Sequence, residues 1–251
     1  MERTLLIDGD ILLYAEAAAV EEVYDWGDDI WTLHGDAKVA KERVDTWLKD
    51  IQEKLEATHL VITLTDHINW RKEVLPTYKH NRKSKRKPVV FPVLRDYVSE
   101  TYKTMLWETL EADDVMGILA TDPKDKTDKI IVSGDKDLKT IPGKLYNPDH
   151  PEDGIMEISL EQANYTHLTQ ALTGDATDGY SGCPGVGPKT APKILIEGVW
   201  SEVVGAYEKV GLTEEDALIQ ARVSRILRHE EFNRKTTEVK LWTPKCHEMS
   251  T

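Results

Sequence analysis

Leu172 to Leu195 reads Leu-Thr-Gly-Asp-Ala-Thr-Asp-Gly-Tyr-Ser-Gly-Cys-Pro-Gly-Val-Gly-Pro-Lys-Thr-Ala-Pro-Lys-Ile-Leu. Two carboxylates, Asp175 and Asp178, precede a Gly-Val-Gly hairpin at Gly185 to Gly187, and a helix is expected to open with Lys189 and Thr190. Glycines let the backbone turn tightly and bring its N–H groups close to a ligand. A helix N-terminus directly after such a turn is a seat for an anion, and nucleic-acid phosphate suits it. One stretch thus offers ligands for cations beside a place for phosphate. The rest of the chain decides whether it supplies the other half of a metal-and-phosphate enzyme.

The 251 residues suffice for one large domain or two small ones. With 40% hydrophobic and 31% charged residues, the composition fits a soluble globular protein with a substantial core. Two cysteines, Cys183 and Cys246, are too few for a disulfide framework, so a reducing cytosol is the expected compartment. Met1-Glu-Arg leads straight into a strand-like run without a basic-then-apolar signal segment. No apolar stretch approaches the ~20 residues of a membrane span. Net charge is −13, which at first argues against nucleic acid. The distribution argues otherwise: Arg71, Lys72, Lys79, Arg82, Lys83, Lys85, Arg86 and Lys87 crowd a segment whose one acid is Glu73. A local basic patch is what docks a polyanion. An isolated run of this kind reads as a solvated loop; its neighbours in the chain decide here.

Thr4 to Ile7 is a short apolar run ending in Asp8-Gly9-Asp10, and Ile11 to Val20 is apolar and alanine-rich, which predicts strand–turn–helix. A carboxylate closing a buried strand faces the crevice where α/β sheets hold ligands; Asp8 or Asp10 could equally cap the helix. Glu21 to Gly35 lacks clear periodicity and reads as a loop. Asp36 to Ala57 predicts a helix from the spacing of Val39, Val44, Trp47, Leu48, Ile51 and Leu55, all core residues. His59 to Leu64 is a second strand, ending in Thr65-Asp66. Trp70, Tyr78 and Phe91 lie among the basic residues, as stacking platforms or, for Phe91 above all, as packing. Val93 to Met105 reads as helix and Thr104 to Leu110 as a third strand. Glu111-Ala-Asp113-Asp114 then opens a helix with more acid than a cap requires. Lys129 to Val132 is a fourth strand before Ser133-Gly134-Asp135-Lys136-Asp137, and in extended chain Asp135 and Asp137 share a side. Leu145 to Pro148 is a candidate fifth strand.

From about Ser159 the pattern is helical, with helices at Trp200 to Val210 and Glu214 to Leu227 and an extended wrap from Phe232 to Thr251. The expected division is a core over 1–155, with a basic arch near 78–100, and a helical region over 156–251. If the strands are parallel with helical crossovers, their C-terminal ends share one edge. That edge would gather Asp8, Asp66, Glu111, Asp113, Asp114, Asp135 and Asp137, joined by Asp175 and Asp178. Like charges so placed repel and are costly to bury unpaired. Hard divalent cations such as Mg²⁺ or Mn²⁺ resolve this, and there are ligands for two of them. Paired ions ~3.5–4 Å apart suit phosphodiester cleavage. Scattered caps and salt bridges explain any one motif but not all five.

At these residues the chain resembles the 5′-nuclease superfamily: flap endonucleases, the 5′–3′ exonuclease domain of bacterial DNA polymerase I, and phage exonucleases. The matching pieces are Ile7-Asp8-Gly9, Thr65-Asp66, Tyr78-Lys79-x-x-Arg82, Glu111-Ala-Asp113-Asp114, Ser133-Gly134-Asp135-Lys136-Asp137-Leu138, and Gly174-Asp175-x-x-Asp178 running into Gly185-Val-Gly187-x-Lys189-Thr190-Ala191. They span roughly Thr4 to Leu227, and the absence of a polymerase makes the phage enzymes the nearest in kind. The resemblance implies an α/β fold of PIN-like type, a parallel sheet core followed by a helical half with a helix–hairpin–helix element near 167–198. It implies a first metal site at Asp8, Asp66, Glu111 and Asp113 with Asp114 nearby, and a second at Asp135, Asp137, Asp175 and Asp178. It assigns Lys79 and Arg82 to the scissile phosphate, charge-stabilising groups at the base of an arch. Arg71, Lys72, Lys83, Lys85 and Arg86, with Gly185, Gly187, Lys189 and Thr190 of the hairpin, would hold DNA, and K⁺ would sit among the hairpin carbonyls.

The expected partners are duplex or 5′-flap DNA and replication proteins, for a monomer that binds no membrane, in the host cytoplasm if phage-encoded. Asp10 has no general counterpart in the family and is left outside the metal ligands. Thr109-Leu110 stands where the family usually has Gly plus an aromatic or valine, and Gly179-Tyr180-Ser181 where it usually has Asn-Ile-Pro. With a short arch, these bear on substrate preference rather than on the chemistry. The alternatives are a non-catalytic structure-specific DNA-binding protein, which needs no complete carboxylate set, and a PIN-type ribonuclease, which lacks the hairpin element.

Overall fold

The computed structural model describes residues 2–82 and 85–244. Its first half runs β1 (Arg3–Asp8), α1 (Gly9–Ala19), β2 (Glu21–Asp25), β3 (Trp31–Gly35), α2 (Ala37–Lys54), β4 (His59–Leu64), α3 (Arg71–Val74), α4 (Phe91–Thr101), β5 (Thr104–Leu106), α5 (Ala112–Ala120), β6 (Asp128–Val132), β7 (Gly143–Tyr146) and β8 (Ile155–Ile158). The second half runs α6 (Leu160–Thr173), α7 (Ala191–Ile194), α8 (Trp200–Glu208), α9 (Glu214–Ser224), β9 (Phe232–Asn233) and β10 (Glu238–Val239).

Six strands form one sheet in the order β5-β4-β1-β6-β7-β8, parallel except for β8, which pairs antiparallel with β7. The central strands are apolar at consecutive positions because both faces are covered, as parallel sheets require. Leu5, Ile7, Ile62, Leu64, Ile130 and Val132 pack in one cluster with residues of α1, α2 and α4. The alternate residues Leu6, Val61 and Ile131 face Met116 of α5 and Ile226 on the other side. In register, Ile7 pairs with Ile62 and Val132, so β1, β4 and β6 end together at one edge. Gly9 is forced by this packing: a Cβ there would lie 2.6 Å from Ile62 Cγ2 and from the Thr63 carbonyl oxygen. Only glycine lets α1 start so close to β4, which keeps Asp8 at the sheet edge.

The helical half has its own core, where Leu168, Leu172, Cys183, Trp200, Val203, Tyr207 and Ala221 pack together. The loop between α6 and α7 crosses itself at Gly174 and Gly182. Both have φ of 65°, and a Cβ on Gly182 would lie 2.3 Å from the Gly174 nitrogen. Cys183 N–H donates to the Leu172 carbonyl at 2.8 Å and closes the crossing.

Several expectations are corrected. Glu21 to Gly35 is an antiparallel ribbon, not a loop. It was illegible because its Val23, Tyr24, Trp26, Ile30 and Trp31 are all exposed and follow no buried face. The third strand is Thr104–Leu106 alone, and α4 stops at Thr101. The sheet extends to Ile158, past the boundary near residue 155. The helix after the hairpin is the single turn Ala191–Ile194, so it offers little dipole for an anion. Phe232 to Val239 is a small hairpin rather than a continuous wrap, and 245–251 lie outside the described residues. Among the described residues no helix is long and apolar enough to cross a membrane.

Candidate active site

The sheet edge sets the site. Asp8 ends β1, Asp66 follows β4, Glu111 and Asp113 start α5, and Asp135 follows β6. With Asp10 and Asp178 they line a cleft of about 660 Å³, whose walls also carry His67, Lys72, Lys79, Arg82 and Lys87. Asp8 caps α1, its Oδ1 accepting from Ile11 N–H at 3.2 Å, while its Oδ2 accepts from the Ser133 hydroxyl at 2.8 Å. Both readings of Asp8, cap and cleft residue, are therefore true of one side chain. Burial pushes its carboxyl up to about 6, against the pull of those hydrogen bonds, and Asp10 and Asp135 add repulsion. Asp113 is raised well above the usual carboxylate range by burial, then by Asp8 and Asp135. Glu111 goes the other way. Burial opposes its charge, but Lys79 and Arg71 beside it hold its carboxyl down to about 2. Asp66 is likewise held below its ordinary value despite partial burial, by N–H groups of Thr109 (2.8 Å) and His67 (2.8 Å).

A second carboxylate group extends from Asp135. Burial and the Asp135 charge push Asp137 up to about 6, with Asp178 and Asp175 also acting on it. Gln170 Nε2 donates to Asp137 Oδ1 at 2.9 Å. Asp175 is held below its ordinary value, burial notwithstanding, chiefly by Lys136 at 3.2 Å. Asp178 sits against the base of the arch. Its carboxylate takes Arg82, the Tyr78 hydroxyl at 3.1 Å and Lys79 Nζ at 3.5 Å, and its carbonyl accepts Lys79 N–H at 2.7 Å. Lys79 has φ of 52°, the left-handed region that few side chains adopt, and its Nζ contacts Glu111. Glu111 and Asp178 keep that ammonium protonated in spite of its burial.

The structure corrects two site assignments and shades others. Arg71 is 2% exposed and cannot hold DNA. Its fork binds Asp114 at 2.7 and 2.8 Å and Glu111 at 3.0 Å, and it donates to the Val223 and Arg225 carbonyls. Asp114 is fully buried and does not line the cleft. Both of its oxygens are taken by Arg71, with Trp70 Nε1 at 3.1 Å and Leu227 N–H at 3.0 Å. Trp70 and Tyr78 are buried too, so neither is a stacking platform, and Phe91 packs in the core. Lys72, Lys85, Arg86, Lys189, Thr190 and Gly185 are exposed, with Arg86 paired to Glu21; Lys83 lies outside the described residues. Gly187 faces open space. Sequence reasoning missed Tyr78 and Ser133 as partners of the carboxylates, and His67 as a cleft residue. Asp10 accepts Thr65 N–H at 2.8 Å and pairs with Arg95. Adjacency to Asp66 and Asp135 was the available signal for His67 and Ser133.

Among the described residues no three Asp, Glu, His or Cys side chains converge closely enough to hold a metal ion as they stand. Protein cations take several oxygens instead, Lys79 on Glu111, Arg82 on Asp178 and Lys136 on Asp175, and the His67 ring nitrogen lies 2.7 Å from Asp66. The donor set still fits a hard divalent cation. It is oxygen-rich, and the raised Asp8 and Asp113 carboxyls mark negative charge that the protein leaves uncompensated.

Over most of its length the chain is similar to known proteins. Residues 3–148 match the model of the 5′-3′ exonuclease, N-terminal resolvase-like domain. The exodeoxyribonuclease of Enterobacteria phage T3 is 33% identical over 96% of this chain and 93% of its own. The exonuclease of Escherichia phage T7 is 32% identical over the same shares. The flap endonuclease of bacteriophage T5, solved as a pseudo-enzyme-product complex with DNA and metal ions, superposes with a TM-score of 0.67 at 15% identity, over 89% of each chain.

Proposed function

The chain belongs to the 5′-3′ exonuclease family, and from that premise we propose that it hydrolyses phosphodiesters near the 5′ ends of duplex or flapped DNA with two Mg²⁺ or Mn²⁺ ions. The observation that carries the reading is the cleft itself: the carboxylates of four strand ends beside Lys79 and Arg82. Asp8, Asp66, Glu111 and Asp113 would hold one ion, and Asp135, Asp137, Asp175 and Asp178 the other, with Asp114 fixing Glu111 from behind through Arg71. Bound divalent ions lower the pKa of water and stabilise the departing 3′ oxygen. Lys79, kept charged by Glu111 and Asp178, presents its ammonium where charge develops on the scissile phosphate. Arg82 does the same from the rim. Lys72 on the cleft wall, with Lys85, Arg86 and the Lys189–Thr190 turn outside it, tracks the phosphate backbone, and Gly185 and Gly187 admit it to the hairpin, with K⁺ among the carbonyls there. The deciding assay offers Mg²⁺ with an end-labelled blunt duplex, a nicked duplex and a 5′-flap. Short products released from 5′ ends are expected, and Asp135→Asn with Asp137→Asn abolishes them while sparing DNA binding. Full activity in that double variant overturns the two-ion assignment.

Lys79→Ala is expected to slow single-turnover cleavage by about 10²–10³-fold, the usual loss for one charge-stabilising donor, while DNA affinity changes less than tenfold. Measuring both quantities on one substrate checks this; a loss confined to affinity would make Lys79 a docking residue.

The raised carboxyls also give a pH signature. Asp8 and Asp137 go from 3.8 to about 6 on folding, so their contribution to stability is complete below about 4 and lost as pH rises to 6. Glu111, at about 2 against 4.5, contributes above 4.5 and loses that contribution toward 2. In EDTA the protein is therefore expected to lose stability between pH 4 and 6, and Mg²⁺ to raise the melting temperature more at pH 7.5 than at pH 5. Equal Mg²⁺ shifts at both values would contradict the assignment.

A further inference from the structure

On the far side of the Arg71 contact lies a second cavity, of about 300 Å³, which shares no lining residue with the carboxylate cleft. Asn164 and His167 of α6, Arg225, Arg228, Lys240 and Trp242 form its working walls. Arg225 and Arg228 are 4% and 8% exposed. Buried guanidinium groups normally have every N–H paired, yet among the described residues Arg225 Nη1 and Arg228 Nε have no hydrogen-bond partner.

The charge is short on one side. Glu231 is the buried acid of this region, and its oxygens are already committed to Arg225 Nε and Nη2, at 2.8–3.1 Å, and to Arg228 N–H at 2.8 Å. The Arg228 guanidinium makes its hydrogen bond to the Thr140 carbonyl, at 2.9 Å, a neutral acceptor. Glu230 also lines the cavity but is exposed. His167 adds no charge. Burial first and the two arginines next push it down to about 3, and its Nε2 is hydrogen-bonded to the Ala221 carbonyl at 2.8 Å. Burial and Arg225 likewise push Arg228 down to about 10, as happens to a buried cation without its counter-ion.

We propose that this cavity is an anion site for a phosphate group, held by Arg228, Arg225 and Lys240. Guanidinium forks match phosphate oxygens, and an uncompensated positive charge lining a cavity is what such an oxyanion satisfies. The room exceeds that of one phosphate, and the indole of Trp242, which meets His167 edge-on at 5.0 Å, supplies an aromatic wall. The ligand chemistry is thus a phosphate, free or carried by a 5′-mononucleotide. The site stands whether or not the cleft performs the proposed hydrolysis.

The test is isothermal titration calorimetry and thermal unfolding of the full chain in EDTA at fixed ionic strength, with inorganic phosphate, 5′-dAMP and deoxyadenosine. Saturable phosphate binding with a raised melting temperature is expected. Arg228→Gln should weaken it tenfold or more, Lys240→Gln, at an exposed position that leaves the fold intact, several-fold, and Lys79→Ala not at all. Tighter binding of 5′-dAMP than of phosphate identifies the nucleotide as the source, and equal binding identifies free phosphate; both support the site. The proposal is overturned if phosphate does no more than chloride, if deoxyadenosine binds as well as 5′-dAMP, or if Lys79→Ala removes the binding and Lys240→Gln leaves it intact.

Discussion

Asp113→Asn is expected to lower single-turnover cleavage by at least about 10³-fold, and in EDTA at pH 7 to raise the melting temperature. Both effects have one cause. Asp113 is held among Asp8, Asp135 and Glu111 with its carboxyl raised well above the ordinary range, so the folded protein disfavours its charge. A group whose pKa rises on folding costs stability above its unfolded pKa, and asparagine, which does not titrate, avoids that cost. Each 1 kcal/mol recovered is worth ~2–4 °C in a chain of this size. The same substitution removes an anionic oxygen from the cation site, so the Mg²⁺-dependent rise in melting temperature should shrink as activity disappears. Differential scanning fluorimetry with and without Mg²⁺, beside a quench-flow assay, reads both. A variant that is less stable in EDTA and fully active would show that Asp113 is an ordinary helix-start acid.

Arg71→Ala should be the most damaging single change to stability, with a loss of about 3–5 kcal/mol, typical when one partner of a buried ion pair is deleted. Asp114 has no exposed surface, and its oxygens would lose their cation. The donors to the Val223 and Arg225 carbonyls would go as well, and with them the tie between α5 and the end of α9. Urea unfolding measures this directly; a loss below about 1 kcal/mol would mean that the surrounding contacts hold without the fork. Arg71→Lys should recover little, because a single ammonium cannot reproduce a bidentate pair.

The parallel core was legible because β1, β4 and β6 are short apolar runs that end in, or are followed within three residues by, an aspartate, and parallel topology puts such ends on one edge. Asp8, Asp66 and Asp135 could be placed there from that rule alone. Arg71 could not be told from Lys72. Sequence shows a basic run, whereas the turn of α3 buries one of two neighbouring cations and exposes the other. Asp113 and Asp114 differ for the same reason: on a helix, adjacent residues point about 100° apart, so one acid faces the cleft and the other the interior. The ribbon at Glu21 to Gly35 escaped because its side chains follow neither core nor period. What pattern reading supplies is which residues end at the edge; what it lacks is rotation about each element's axis.

The contacts of Lys79 and Arg82 with Glu111 and Asp178 imply a coupling between two ligands. In the resting molecule these acids are countered by the protein's own cations, so under the proposed function an arriving phosphate and an arriving divalent ion would take opposite halves of the same pairs. Phosphate drawn to the two basic groups frees the acids, and divalent ions drawn to the acids free the basic groups. Each newcomer thereby raises the affinity for the other, which is positive linkage by exchange of partners. Under the proposed function, a cleft wired this way would hold each ligand weakly alone and both tightly together.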